Sequence, residues 1–342
     1  MSIILALLIF SVIVIVHELG HFLLAKYNGI TVTEFSVGMG PRLLSHEWRG
    51  TRYSLKILPF GGSCMMVGEE EESDEEGSFG SKSVWARISV VAAGPVFNFL
   101  LAFVLSVIIV ANIGYDDTVV DVTPGYPAAE AGMQDGDRIV RMGGSRTYVY
   151  REISLFNSLH QGQPAEVTYR RGEEEYTIRI TPVKDENGYY RYGFEKINVR
   201  TRGNVFTTAG YSLAELRYWL KATMESLLKL VQGQVELNDV SGPVGIVNAI
   251  GDTYEESRTD GWYYVALNMI IMSILLSVNL GVMNLLPIPA LDGGRLVFLL
   301  IEAVRGKALP QEKERMVHFL GFVLLMGFMI VVLMNDIRQI FL

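Results

Sequence analysis

The sequence predicts a mainly α-helical membrane protein with four transmembrane helices, a membrane-associated β region after the first helix, and an extracytoplasmic α+β domain between the second and third. Three observations carry this. Half of the 342 residues are apolar, high for a soluble chain of this length. Four windows, 1–25, 88–113, 265–291 and 316–336, are long and apolar enough to cross a bilayer. Lys and Arg gather in two of the three connections.

The first window has no Lys or Arg before its apolar run and no small-residue cleavage site after it, so it reads as a retained helix rather than a signal peptide. Residues 26–87 begin with "GITVTEFSVGMGPRLLSHEWRGTRYSLKILPFGG", where β-branched and aromatic residues alternate with polar ones between Gly and Pro. That pattern predicts hairpins against or dipping into the bilayer. The acidic run "EEEESDEEG" at 69–77 follows, and with acidic residues of the insert it accounts for much of the net charge of -8. After the second helix, 117–184 alternates short strand signals with one helical run near Glu152 to Leu159. In 185–262, Leu213, Leu216, Leu220, Met224, Leu227 and Val231 recur at helical spacing, an amphipathic helix placed either on the membrane face or under the α+β domain.

Lys26, Arg42, Arg49, Arg52, Lys56, Lys82 and Arg87 follow the first helix, and Arg295, Arg305, Lys307, Lys313 and Arg315 fill the connection 292–315 after the third. Both connections are therefore expected in the cytoplasm, with the termini and the insert outside. The single cysteine, Cys64, permits no intramolecular disulfide and reads as a packing residue. No nucleic-acid partner is expected.

The chemistry begins at "VIVHELGHFLLAKY", residues 14–27. His17 and His21 are one helical turn apart and share a face, so both imidazoles can bind one metal ion while Glu18 reaches a water on it. An ionisable group deep in a membrane helix costs on the order of 3 kcal/mol and is expected to be paired or functional. The bland alternative ends the helix near Val16 and leaves "HELGH" in headgroup water, but "FLLA" resumes the apolar run. Catalytic zinc usually takes three protein ligands. Asp292, in "NLLPIPALDGGR", stands out as the third, because Pro287 and Pro289 break the helix before it and Gly293 and Gly294 free the backbone after it. His318 is the rival ligand. His46 and His160 read as surface residues. Asn268, Asn279 and Asn284 are candidates to line a water path, or to bond neighbouring helices.

Two resemblances extend these readings. "PAAEAGMQDGDRIV" is similar to the loop, short helix and strand of bacterial PDZ domains, which capture extended peptide at a sheet edge. "HELGH" together with "NLLPIPALDGG" resembles the two signatures of the site-2 protease family of intramembrane zinc metalloproteases. "GMGPRL", "ILPFGG", "AAGPVFNFLLA" and "SGPVGI" follow in the family's order, and one PDZ domain between helices 2 and 3 matches the bacterial RseP-type branch. The resemblance implies that His17, His21 and Asp292 hold Zn2+, that Glu18 is the general base, and that Asn284 bonds substrate backbone. It also implies that the edge formed by Ile57, Leu58, Pro59, Phe60, Gly61 and Gly62 receives an unwound substrate strand. After "PFGG" the family continues with an aromatic and a Lys where this chain has "SCMMVGEEEE", which touches only the contacts of that loop.

The expected activity is hydrolysis of peptide bonds within transmembrane segments of single-pass proteins in the bacterial cytoplasmic membrane. The resemblance suggests anti-sigma factors or signal-peptide remnants as substrates. The PDZ domain is expected to contact or exclude their external regions, with the active site toward the cytoplasm. An ion-coupled transporter is the alternative for intramembrane His, Glu and Asp, weakened by the lack of internal repeats. A non-catalytic PDZ scaffold needs neither Glu18 nor Asp292.

Overall fold

A computed structural model describes residues 2–69, 73, 75–197, 200–234 and 241–341, with only the backbone described at Pro59, Phe60, Gln311, Ile340 and Phe341. Four residues of the acidic run 69–77, at 70–72 and 74, lie outside the described residues. The chain divides into two compact units, Met1–Leu105 with Thr223–Leu342, and Ser106–Ala222. Helix exceeds strand, 55% against 20%.

Among the described residues four helices have the length and composition to cross a membrane: α1 (Ser2–Tyr27), α2 (Val84–Ile113), α7 (Trp262–Leu285) and α9 (Gln311–Phe341). They agree with the four expected windows. Two shorter helices belong to the same unit. Pro243, at the first position where a helix donor has no partner anyway, opens α6 (Pro243–Arg258), and Asp336 of α9 accepts N–H bonds from Gly242, Val244 and Gly245 at that end. Ile250 of α6 packs with Ala6, Ile9 and Ile13 of α1 and Leu276 of α7. The connection expected as a loop at 292–315 contains α8 (Asp292–Arg305), amphipathic and closed by Gly306 in the left-handed conformation.

Between α1 and α2 the expected hairpin region is one pair of long strands, β1 (Val32–Trp48) and β2 (Thr51–Met66). Arg49 and Gly50 both take positive φ, which makes the tight two-residue turn whose twist suits a hairpin. Each strand bends and serves two ladders. Trp48 pairs with Thr51 and Leu44 with Leu55, while Phe35 and Val37 lie between Tyr53 and Leu55 on one side and Cys64 and Gly62 on the other. The segments are therefore ordered 42–48, 51–58, 32–39, 62–66, and among the described residues 62–66 is an outer edge. A second cluster, Ala25, Ile30, Val32, Val90, Val91 and Leu299, fixes the sheet against α1, α2 and α8.

The second unit contains β3 (Val120–Val122), α3 (Pro127–Glu130), β4 (Arg138–Met142), β5 (Ser145–Arg146), α4 (Tyr150–Leu159), β6 (Ala165–Arg171), β7 (Glu174–Ile180), β8 (Val183–Lys184), β9 (Tyr190–Arg191), β10 (Phe194–Lys196) and the first part of α5 (Val205–Val231). Its main sheet has the order β5-β4-β6-β7, and β10 pairs with β3. Tyr192 and Phe194 join Val120, Ile139, Ile153 and Val167 in one core. The α+β unit thus runs past the expected end at 184, because its first strand is completed by its last. The amphipathic helix also starts earlier than Leu213, the first residue of the expected periodic run. Arg217 pairs with the buried Glu152 of α4, and Arg151 with Glu215, so this part of α5 packs on the α+β domain.

Glu34 is buried where the two ladders meet, and the bend brings Arg42 back over it: Nε donates to Oε1 at 3.0 Å and Nη2 to Oε2 at 2.5 Å. These bonds hold the Glu34 carboxyl at about 2, below its ordinary 4.5, so its contribution is complete above about 4.5 and lost as pH falls through about 2. Glu34→Gln should speed amide exchange across residues 32–39 by about tenfold or more near neutral pH. Hydrogen-exchange mass spectrometry, corrected for intrinsic rates, should show wild type and variant converging toward pH 2.

Candidate metal centre

His17 and His21 lie on one face of α1, 7% and 9% exposed. Asp292 reaches them from the first position of α8, after the loop 286–291 that Pro287 and Pro289 force out of helix. The Nε2 atoms of His17 and His21 are 3.1 Å apart, and Asp292 Oδ2 is 3.1 Å from the first and 3.5 Å from the second. A tetrahedral site with bonds of about 2.0–2.1 Å has edges of about 3.3–3.4 Å. The triangle matches one face of it, and this is the group among the described residues able to hold a metal ion.

The other ring nitrogens explain why these atoms converge. His21 Nδ1 donates to the Val90 carbonyl at 2.9 Å, which leaves Nε2 as a lone-pair donor. His17 Nδ1 lies 3.2 Å from the Asn98 amide, whose Oδ1 would otherwise be buried without a partner. Amide oxygen and nitrogen are assigned by their surroundings. With Oδ1 toward His17, the amide oxygen accepts the Nδ1 proton. Three lone-pair donors then face one another in a buried site, and Asp292 Oδ2 has no hydrogen bond of its own. A cation is the group that satisfies all three.

Two glycines make room for this arrangement. A Cβ on Gly94 of α2 would lie 2.3 Å from His21 Nε2 and 2.7 Å from His17 Cε1, and one on Gly20 would lie 2.5 Å from the Ala93 carbonyl oxygen. The sequence reading missed Gly94 and Asn98. Their signal was present in "AAGPVFNF", a small residue and an amide four apart in an otherwise apolar helix.

The triad opens into a cavity of about 640 Å³ whose walls include Glu18, residues 62–69, Ser73, Val91 and Arg295. Arg295 Nη2 donates to the Glu69 carbonyl at 3.0 Å, and the two side chains form an ion pair. Glu18 is half-buried, packs beside Gly62 and accepts the backbone N–H of Cys64. Of the expected substrate edge, Gly62 lines the cavity. Ile57 and Leu58 are 49% and 43% exposed away from it, Gly61 packs on Met39, and Pro59 and Phe60 have only their backbone described, in β2. The segment beside Glu18 is 62–66, which includes the "SCMM" departure. Asn284 sits half-buried on the last turn of α7, outside the cavity wall. Asn268 donates to Ser257 and Asn279 accepts from Thr223, so both bond neighbouring helices. His318, the rival ligand, is not part of the triad.

Residues 5–328 match the model of Peptidase family M50. The chain belongs to this family, the site-2 proteases. A Clostridium perfringens relative is 36% identical over 339 residues, covering 98% of each chain. The zinc metalloprotease RasP of Geobacillus kaustophilus is 32% identical, with 100% of this chain and 99% of that protein covered. The regulator of sigma-W protease RasP of Bacillus subtilis is also 32% identical, covering 98% of each. This M50 chain is a site-2-type metalloprotease and its cofactor is zinc. Two solved PDZ domains of SdrC-like proteins, from Listeria monocytogenes and Listeria innocua, align with 25% and 26% of the chain at 21% and 20% identity, with TM-scores of 0.22 and 0.21.

Gly94→Ala places a methyl group where the imidazoles stand and should leave the purified protein with less than about a tenth of wild-type zinc, measured by plasma mass spectrometry. Asn98→Leu should weaken zinc binding by about 10- to 100-fold in a chelator competition, and Asn98→Asp, which keeps an acceptor for His17 Nδ1, should recover most of the loss.

Proposed function

We propose that this protease cuts peptide bonds within transmembrane segments of single-pass membrane proteins, with His17, His21 and Asp292 as the zinc ligands and Glu18 as the general base. The observation that carries the reading is the juxtaposition of the three converging ligand atoms, the Glu18 carboxylate and an open sheet edge in one cavity among apolar helices.

Zinc bound at such a triad lowers the pKa of water and polarises a carbonyl. Glu18 takes a proton from the attacking water as the new carbon–oxygen bond forms, then passes it to the amine as the carbon–nitrogen bond breaks. Asn98 and Val90 keep the imidazoles in the ligating tautomer. The hydrogen bond from Cys64 holds Glu18 beside the strand that receives substrate.

A helical substrate must first open, because its peptide bonds are hydrogen-bonded and shielded. The edge 62–66 can replace those bonds by strand addition. Val67 N–H bonds Thr31 toward β1, so by the two-residue alternation of a strand the N–H groups of Cys64 and Met66 point the other way. This supports a substrate strand lying along 62–66, a few residues beyond the 57–62 run.

The B. subtilis relative, a regulator of sigma-W protease, supports anti-sigma factors as one substrate class, with signal-peptide remnants as another. The Lys and Arg distribution supports cytoplasmic positions for β1, β2 and α8 and extracytoplasmic termini and α+β unit in the bacterial cytoplasmic membrane. In that unit, "PAAEAGMQDGDRIV" forms α3 and leads into β4, as the PDZ reading requires, and β10 pairs on one side with β3. A PDZ domain there contacts or excludes the external parts of substrates.

Glu18→Gln should keep full zinc and lower cleavage of a reconstituted transmembrane peptide by about 10²- to 10⁴-fold; a variant that still cuts at the wild-type rate rejects Glu18 as the base. Met66→Pro removes one outward N–H and spares the ladder to β1, so it should slow cleavage by about tenfold or more with zinc content unchanged, and unimpaired cleavage rejects the strand-addition reading.

A further inference from the structure

Ala290 has a φ of 79°. A side chain rarely adopts this left-handed conformation, and here it stands two residues before Asp292. Among the described residues Arg49, in the hairpin turn, is the other non-glycine case. The loop satisfies most of its own donors: Leu286 N–H goes to Met283, Ile288 N–H to Leu286 and Leu291 N–H to Ile288. Pro287 and Pro289 have none to offer. The Ala290 N–H instead leaves the loop and donates to His318 Nδ1 of α9 at 2.9 Å.

That direction fixes the tautomer, since Nδ1 can accept only with the proton on Nε2. The ring is held against Phe298 of α8, with ring centres 5.4 Å apart. Three residues along the same face of α9, Gly321 lets the helix press on the loop: a Cβ there would lie 2.4 Å from Pro289 Cβ and 2.6 Å from its carbonyl oxygen. On the opposite side of the loop, a Cβ on Gly294 would lie 2.4 Å from the Ile288 oxygen. The elbow that delivers Asp292 is thus wedged between α8 and α9, and the Ala290 N–H ties it to α9 through His318.

We propose that His318 is a positioning residue for the metal site: by accepting the Ala290 N–H it holds the loop in the strained conformation that brings Asp292 to His17 and His21. The inference rests on Asp292 being a zinc ligand. It gives α9 a part in the chemistry although the helix supplies no ligand.

The test uses the full-length protein in detergent, with zinc affinity measured by chelator competition and the visible absorption of the cobalt-substituted enzyme reporting ligand geometry. His318→Leu, apolar and suited to a membrane helix, removes the acceptor. His318→Asn puts an amide oxygen where Nδ1 stood, and His318→Gln puts it nearer the position of Nε2. His318→Leu should bind zinc about tenfold or more weakly and alter the cobalt spectrum, while His318→Asn stays within about threefold of wild type with the wild-type spectrum. Wild-type affinity and spectrum in His318→Leu would overturn the proposal, as would equal losses in the Leu and Asn variants. Should the Leu variant not accumulate, the Asn and Gln variants decide: tighter zinc in Asn supports the proposal and equal affinity overturns it. Asp292→Ala with unchanged zinc affinity would instead overturn the ligand assignment underneath.

Discussion

Two imidazole nitrogens and a carboxylate oxygen, each presenting a lone pair, sit 3.1–3.5 Å apart among apolar helices. In a medium of low dielectric their mutual repulsion is hardly screened, and a buried charge or unmet acceptor costs several kcal/mol. A cation between them turns the repulsion into binding. Until then the fold must hold the three atoms together by other means. The Val90 carbonyl and Asn98 amide fix the ring orientations, Gly20 and Gly94 let α2 close on α1, and the proline-bounded elbow carries Asp292 in from the other end of the chain.

The same economy governs the surroundings of Glu18. In the proposed mechanism the base must stand within reach of water and substrate but remain in place, and a half-buried carboxylate beside the Cys64 N–H suits both needs. That contact ties the base to an edge strand, so whatever orders 62–66 also orders Glu18. The bent pair β1 and β2 makes the edge possible. By folding each strand into two ladders it leaves the 62–66 segment paired on one side only, while Glu34 and Arg42 lock the crossing point where the bend would otherwise open.

The α+β unit obeys different rules. Its core is built from alternating residues on short strands, and its first strand is closed by its last, with Tyr192 and Phe194 completing the packing. Arg217 on Glu152 then attaches the start of α5, a charged contact that neutralises a carboxylate 2% exposed.

The fold chose Asp292 over His318 as the third member of the triad by bringing its Oδ2 to both imidazoles. The sequence alone determined the spans and the hairpin region and put His17 and His21 on one helix face. A bilayer-length apolar run has essentially one stable backbone, and i and i+4 histidines must share a helix face. It misplaced what depends on register and on contacts between distant segments. The segment beside Glu18 is 62–66 rather than the whole 57–62 run because the strands bend and pair twice, which alternation cannot reveal. The α+β domain ran past 184 because β10 is needed by β3, some 70 residues earlier. Asn98 and Gly94 were unremarkable letters in an apolar helix, and His318 stood out only as a rival ligand. Only the close approach of α2 and α9 to the histidines and the Asp292 elbow gave them a function, since a hydrogen bond or a steric gap exists only once both partners are in place.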